Sequence, residues 1–541
     1  MLPNTVLLIG LLALGSPVPS TADQAFTVLQ QNCGNENCHG GPDAYRFDVG
    51  NPSTMVEAGV VKPGRSADSE VIRRVEAGIM PLGGYKGRPG VRLPPEDIRV
   101  LRDWIDAGAP VPAERSAAQR RAFVSESQIL DAILNDLQSA NEADRAYLRY
   151  FALANLWNSP DVQDTDIEVA RAALGKLANH LSWQREIAKP AALGPGNLVV
   201  RIDLREYAWT WETWRCITTD YPYGIATRKL TGKIERIGDL SGVTVPYVRA
   251  DWFVANASKP PLYHEILQLP ATLEGLENML NVSAEFDVER NFARRFGVRD
   301  SGVSRNNRAM ERHSTVFGAY WKSFDFAGNN PEQDIFRNPL DLHADGGEII
   351  FSLPNGLQGY FIVNKQGRRI DDAPVNIVRD RTNSDDPVVH NGRSCIGCHV
   401  KGMNAFRDEI VTAFDSRTEA LFDLERARSL YPGQGDLELL LESDNRRFAQ
   451  ALARAGTAVP AGAADEPVNR VGRRYDATVT AAQAAADLSI EDPKTLLGLI
   501  AGSAELQTQG FDQFLGARGG MKRDAWEHGF SAIAGELGTV H

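Results

Sequence analysis

Between Ser125 and Leu181 apolar residues recur at three- and four-residue intervals. Ile129, Leu130, Ile133, Leu134 and Leu137 form one stripe, Leu148, Phe151, Leu153 and Leu156 a second, and Val169, Leu174, Leu177 and Leu181 a third. This spacing puts each stripe on one face of a helix and predicts three amphipathic helices. An earlier stretch, Leu93 to Pro110, has the same period in Ile98, Leu101, Trp104 and Ile105. Prolines and acidic residues stand at its start and Gly108-Ala109-Pro110 at its stop, which bound a helix. Past Pro190 the pattern changes, and the alternation in Leu198-Val-Val-Arg-Ile202-Asp-Leu204 reads as a strand. Strand-like runs return at 348–353 and 359–363, with Pro354-Asn-Gly356 supplying turn chemistry between them. Beyond Met403 helical periodicity predicts segments near 404–430, 436–455, 475–489 and 493–518, with an Ala/Gly/Pro-rich loop at 456–467. The predicted class is mainly α, with a central α+β region and a helical C-terminal part.

A chain of 541 residues exceeds any one small domain. We divide it into a leader (1–22), an N-terminal domain (23–112), a helical region (113–195), an α+β region (196–410) and a C-terminal helical region (411–541). The apolar run Val6–Leu14, followed by Pro17, Pro19, Ser20 and Ala22, has the length and small-residue ending of a signal peptide. It is too short to span a bilayer, and no later segment is apolar enough for a transmembrane helix. A net charge of −12 with no basic block argues against a nucleic-acid partner. The sequence leaves the oligomeric state open.

Chemistry enters at Asn391-Gly-Arg-Ser-Cys395-Ile-Gly-Cys398-His399. Cys-x-x-Cys-His is the attachment signature of haem c: two thiols bond to the porphyrin's vinyl groups and the adjacent imidazole takes an axial position on the iron. A redox dithiol has no use for the histidine, and zinc would need a fourth ligand. A second run, Cys33-Gly-Asn-Glu-Asn-Cys38-His39, repeats the pattern with two extra residues between the thiols; a Cys33–Cys38 disulfide is the alternative. Met80, before Pro81 in a glycine-rich loop, offers a soft thioether that suits an axial position and would raise the reduction potential. Cys216 is left over beside Trp209, Trp211 and Trp214, and reads as a buried thiol in an aromatic core.

Cys38-His39-Gly, Met80-Pro81 and Trp104-Ile105-x-x-Gly-Ala-Pro together resemble the small c-type cytochrome domains of planctomycete-type multidomain proteins, over about residues 23–112. That resemblance implies an all-helical domain with His39 as proximal and Met80 as distal ligand. It also implies haem attachment outside the cytoplasmic membrane, hence a periplasmic or secreted protein, as the leader does. The expected function is electron transfer by two covalent haems, held by Cys33, Cys38, Cys395 and Cys398 with His39 and His399 on the irons, exchanging electrons with a redox partner protein. For the far face of the second iron the candidate is His343, flanked by Asp341 and Asp345. The alternatives are a dihaem oxidoreductase of peroxidase or oxygenase type, with Arg312 and His313 over an open iron, and a partner- or polymer-binding module with accessory haems.

Overall fold

The computed structural model describes residues 21–34, 39, 47, 49, 52–80, 93–110, 121–224, 230–301, 303–328, 330–379, 387–415, 422–457, 466–516 and 519–537. The leader, Cys38 and the loop 81–92 lie outside them. The chain forms two compact units, Met1–Arg120 and Arg121–His541. Among the described residues no helix is long and apolar enough to cross a membrane.

In the first unit the described elements are helical: Thr21–Cys33, Pro52–Glu57, Glu70–Glu76 and Pro95–Asp106, with one short 3-10 turn. The last begins as its sequence requires, with Pro95 at its first turn beside Glu96 and Asp97. Leu101, Trp104 and Ile105 are buried with Leu29, Met55, Ile72 and Val75 in one core, and Trp104 Nε1 donates to the Pro110 carbonyl at 2.9 Å. An indole that is both buried and hydrogen-bonded fixes this helix end against the core.

The second unit mixes helices with two principal sheets. Its first helix, Glu126–Ser139, starts from a reciprocal cap between Ser125 and Gln128 and buries Ile129, Leu130, Ile133 and Leu137. The next apolar run corrects the sequence expectation: Leu148–Ala152 is a strand, β1, buried at every position. It lies between β3 (Val199–Asp203) and β4 (Val248–Arg249), with β2 (Ala191–Leu193) beyond β3. A strand covered on both faces needs no alternation, so its apolar run is compatible with a helix stripe. The third stripe is helical, Asp164–His180.

The larger sheet is an antiparallel meander of β5 (Arg294–Val298), β6 (Arg308–Thr315), β7 (Gly318–Asp325), β8 (Gly346–Ser352) and β9 (Gln358–Asn364) in that order. The β8–β9 hairpin closes where Pro354-Asn-Gly predicts, with Leu353 N donating to the Leu357 carbonyl at 2.8 Å. Pairing of Arg312 with Trp321, Trp321 with Ile350 and Ile350 with Tyr360 places these four on one face; His313 pairs with Tyr320, and Tyr320 with Phe351, on the other.

C-terminal helices occupy Gln434–Arg454, Pro467–Asp476, Ala481–Asp487, Pro493–Gly502 and Arg523–Leu537, among shorter ones. Where 404–430 was expected to be one helix, only Ile410–Asp415 and Leu424–Leu430 are helical among the described residues. Polar side chains preceding them bond elsewhere: Asn404 Nδ2 to the Cys398 carbonyl, and Asp408 Oδ1 accepting from Gly297 N. One apolar core runs through the unit from Val124 to Ala534, joining the first sheet, the far half of the meander and the C-terminal helices.

Candidate functional site

The Cys395–His399 segment is set by two sharp turns. Val389–His390 pairs with Asp372–Ala373; the chain then reverses at Gly392 (φ +86°), whose missing Cβ would meet the Ser258 carbonyl and the Tyr263 ring. The helix Arg393–Cys398 follows, and His399 is its C-cap. Cys395 and Cys398 stand three residues apart on one face of that turn. The second reversal is at Gly402 (φ +101°), against Asn445 and Phe448.

His399 Nδ1 lies 3.0 Å from the Gly402 carbonyl oxygen. A carbonyl only accepts, so Nδ1 carries the proton and Nε2 the lone pair. Desolvation lowers the His399 pKa, the Gly402 bond opposing it, so the ring is held neutral, the form that binds iron. Burial, with Glu348 nearby, pushes the Cys395 thiol well above its ordinary pKa. The donor set has the chemistry a haem c would need: two thiols and an oriented imidazole on one turn, with Nε2 on the side away from the Gly402 bond. Such a group, when bound, supplies one-electron chemistry at its iron.

Elements far apart in sequence enclose the motif. The Tyr360 ring lies 6.2 Å from the His399 ring, tilted by 31°. Tyr263 OH accepts from Tyr360 N at 2.9 Å, and Tyr360 OH donates to Gln358 Oε1 at 3.3 Å. Asn445 brackets Met403, accepting from its N at 2.6 Å and donating to its carbonyl at 2.9 Å. Asn469 Nδ2 donates to the Arg393 carbonyl, and Arg393 pairs with Asp476. On the helix that carries Asn469, Glu466 caps the N-terminus and forms a 2.7 Å ion pair with Lys176, both side chains 1% exposed.

Other sequence candidates lie elsewhere. His343 is exposed and spends its Nε2 on Asp341 at 3.1 Å; it is not brought to His399 by any contact. Arg312 and His313, adjacent on β6, point to opposite faces of the sheet and form no pair. Arg312 shares the motif's face and is held by both carboxylate oxygens of Asp444, each at 2.9 Å. His313 is wholly buried on the other face, its Nδ1 2.8 Å from Asp287 and its Nε2 2.9 Å from Glu311. In the first unit Cys33 ends the Thr21–Cys33 helix, half-buried against the core. His39 stacks on Phe47 at 4.1 Å and its carbonyl accepts from Val49 N. Met80 is half-buried, with its N donating to the Arg74 carbonyl. Cys216 is half-buried on the helix Trp211–Thr219. Among the described residues no group of three or more His, Cys, Asp or Glu side chains is arranged to hold a metal ion.

His180, in the last turn of Asp164–His180, belongs to no motif in the sequence. Its Nδ1 lies 3.1 Å from the Gln358 carbonyl, and its pKa is lowered to about 3 by burial and then by Lys176. Its one signal in the sequence is its place four residues after Lys176, a charge set within an apolar stripe. Comparison with family models, with curated proteins and with solved structures finds no match.

Proposed function

We propose that this protein is a periplasmic or secreted dihaem c-type cytochrome that transfers electrons to and from a redox partner protein. Cys395 and Cys398 would hold one haem with His399 on its iron. Cys33 and Cys38 would hold the other in an all-α cytochrome domain, with His39 and Met80 as its ligands. The observation that carries this reading is the His399–Gly402 hydrogen bond, which leaves Nε2 as a bare lone pair beside two thiols on the same helical turn. The chain's own part is to orient that imidazole, shield it and fix the motif between Asn445 and Asn469.

The test is haem stoichiometry in protein expressed with a c-type maturation system. Pyridine haemochrome and intact mass should give two covalent haems per chain. Cys395→Ala/Cys398→Ala and Cys33→Ala/Cys38→Ala should each remove one. A chain that matures without covalent haem refutes the reading, and one haem lost only with Cys395 and Cys398 removes the N-terminal site.

A further inference from the structure

Arg308 on β6, Asp325 on β7 and Glu348 on β8 form a charge group with one cation for two carboxylates. Arg308 Nε stands 2.5 Å from Asp325 Oδ1, and its Nη2 2.6 Å from Glu348 Oε2. Ser323 Oγ donates to Asp325 Oδ2 at 2.8 Å and accepts from Glu348 N at 2.8 Å. Asp325 is 2% exposed and Arg308 is buried with it, while Glu348 is half-buried. Among the described residues no second cation pairs with either carboxylate. Two carboxylates on one guanidinium leave a surplus negative charge out of water, and a proton shared by the pair removes it. Burial raises the Asp325 carboxyl to about 6, with Arg308 opposing and Glu348 adding to the rise.

The group faces the motif. Along their strands Arg308, Asp325 and Glu348 stand an even number of residues from Arg312, Trp321 and Ile350, so they share the face that carries Tyr360. Glu348 pairs with Ile362 and is thus a diagonal neighbour of Tyr360, whose ring lies 6.2 Å from that of His399. Glu348 is a charged neighbour of both Cys395 and His399, and Arg308 of His399. A cavity of about 20 Å³, enough for a water, lies beside the two carboxylates. Its other walls are mostly apolar, among them Ile362, Val363 and Val378. Asp345, also on that cavity, is held by Ala327 N, Gln333 and Lys365.

We infer that the Arg308–Asp325–Glu348 group binds a proton in step with electron transfer at the Cys395–His399 motif, taking it from water on reduction and returning it on oxidation. The inference rests on the haem reading above and gives that site a pH-dependent potential. The electron comes from the redox partner protein, the proton adds to the carboxylate pair, and no other bond changes. The link is Coulombic: an added electron makes the site more negative, so the neighbouring carboxylates hold a proton more tightly. By reciprocity, the bound proton favours the reduced form, and the potential falls as pH rises through the interval in which the pair titrates.

The experiment uses the full-length protein after maturation, with covalent haem counted first, and spectroelectrochemical titration over a pH range centred on 6. The wild type should show a haem whose reduction equilibrium weakens by up to tenfold per pH unit, about 59 mV for one electron. Cys395→Ala/Cys398→Ala should remove that component. Asp325→Asn keeps the shape of the side chain and an oxygen for Arg308 and Ser323 but binds no proton. Its haem should titrate at one potential throughout, that of the acid limb of the wild type. Glu348→Gln removes the repelling carboxylate and should move the pH-dependent interval to lower pH, which a merely structural role does not predict; it keeps the test open if Asp325→Asn fails to fold. A wild-type potential that does not change with pH, a pH dependence that survives in Asp325→Asn, or an interval unmoved in Glu348→Gln overturns the inference and leaves the haem reading intact. A chain without covalent haem at Cys395 and Cys398 overturns both.

Discussion

The Lys176–Glu466 ion pair offers a quantitative test of the frame around the motif. Its atoms are 2.7 Å apart and each side chain is 1% exposed. At an effective dielectric of about 20 the gross attraction is about 6 kcal/mol, most of it offset by the desolvation of both ions. Removing one partner strands the other charge in the core. Glu466→Gln keeps the volume and an oxygen able to accept from Asn469 N, which Glu466 now caps at 2.8 Å. Its cost is therefore the stranded ammonium alone, about 3–5 kcal/mol. Glu466→Ala should cost about 1 kcal/mol more, through the lost cap. Lys176→Met strands a carboxylate that still has the Asn469 amide, so its loss should fall near the lower end, about 3 kcal/mol. The double variant Lys176→Met/Glu466→Gln buries no charge and should return to within about 1 kcal/mol of wild type. Urea unfolding followed by far-ultraviolet circular dichroism at neutral pH measures all four, with unchanged m-values as the check that only stability moved. Single losses below about 1 kcal/mol, or a double variant equal to the sum of the singles, would mean that the two buried charges do not depend on each other.

Two further predictions follow from the motif's surroundings. Gly402→Ala forces a side chain into φ +101° and against the Asn445 carboxamide; it should destabilise by about 1–3 kcal/mol in the same assay and lower haem occupancy at Cys395/Cys398. His264 is buried with its pKa lowered to about 3 by desolvation and then by Arg369, with Asp371 and Asn391 at its nitrogens. Since the folded pKa lies below the unfolded value, its contribution is complete above pH 6.5 and is lost as pH falls towards 3, about 2 kcal/mol by pH 5. His264→Gln should flatten that part of the stability profile; an unchanged slope would locate the proton uptake elsewhere.

Much of the local structure was legible where one residue type has one physical use. Pro95 with Glu96 and Asp97 marked a helix start, Ser125 with Gln128 a cap, and Pro354-Asn-Gly356 a turn. What was hidden depended on partners remote in sequence. Strands β5 and β6 carry Arg295, Arg308, Glu311 and His313 at buried positions, and each is paired with a side chain from the sheet or from a neighbouring helix, so a charge-rich stretch is core. Once β6 is a strand, the separation of Arg312 from His313 follows from its two-residue period. A histidine at a helix end is unremarkable in sequence; only Gln358, 178 positions away, turns its second nitrogen into an orphan.

The charges around the motif bear on carrier against peroxidase-type enzyme. An enzyme that cleaves peroxide needs an acid–base group free to move a proton over an open iron. On the motif's face of the large sheet, Arg312 is closed by Asp444 and Arg308 by Asp325 and Glu348, while behind the motif Lys176 is closed by Glu466. With its charges paired in this way, the surroundings of the motif would suit an electron carrier, whose haem needs no proton moved at the iron.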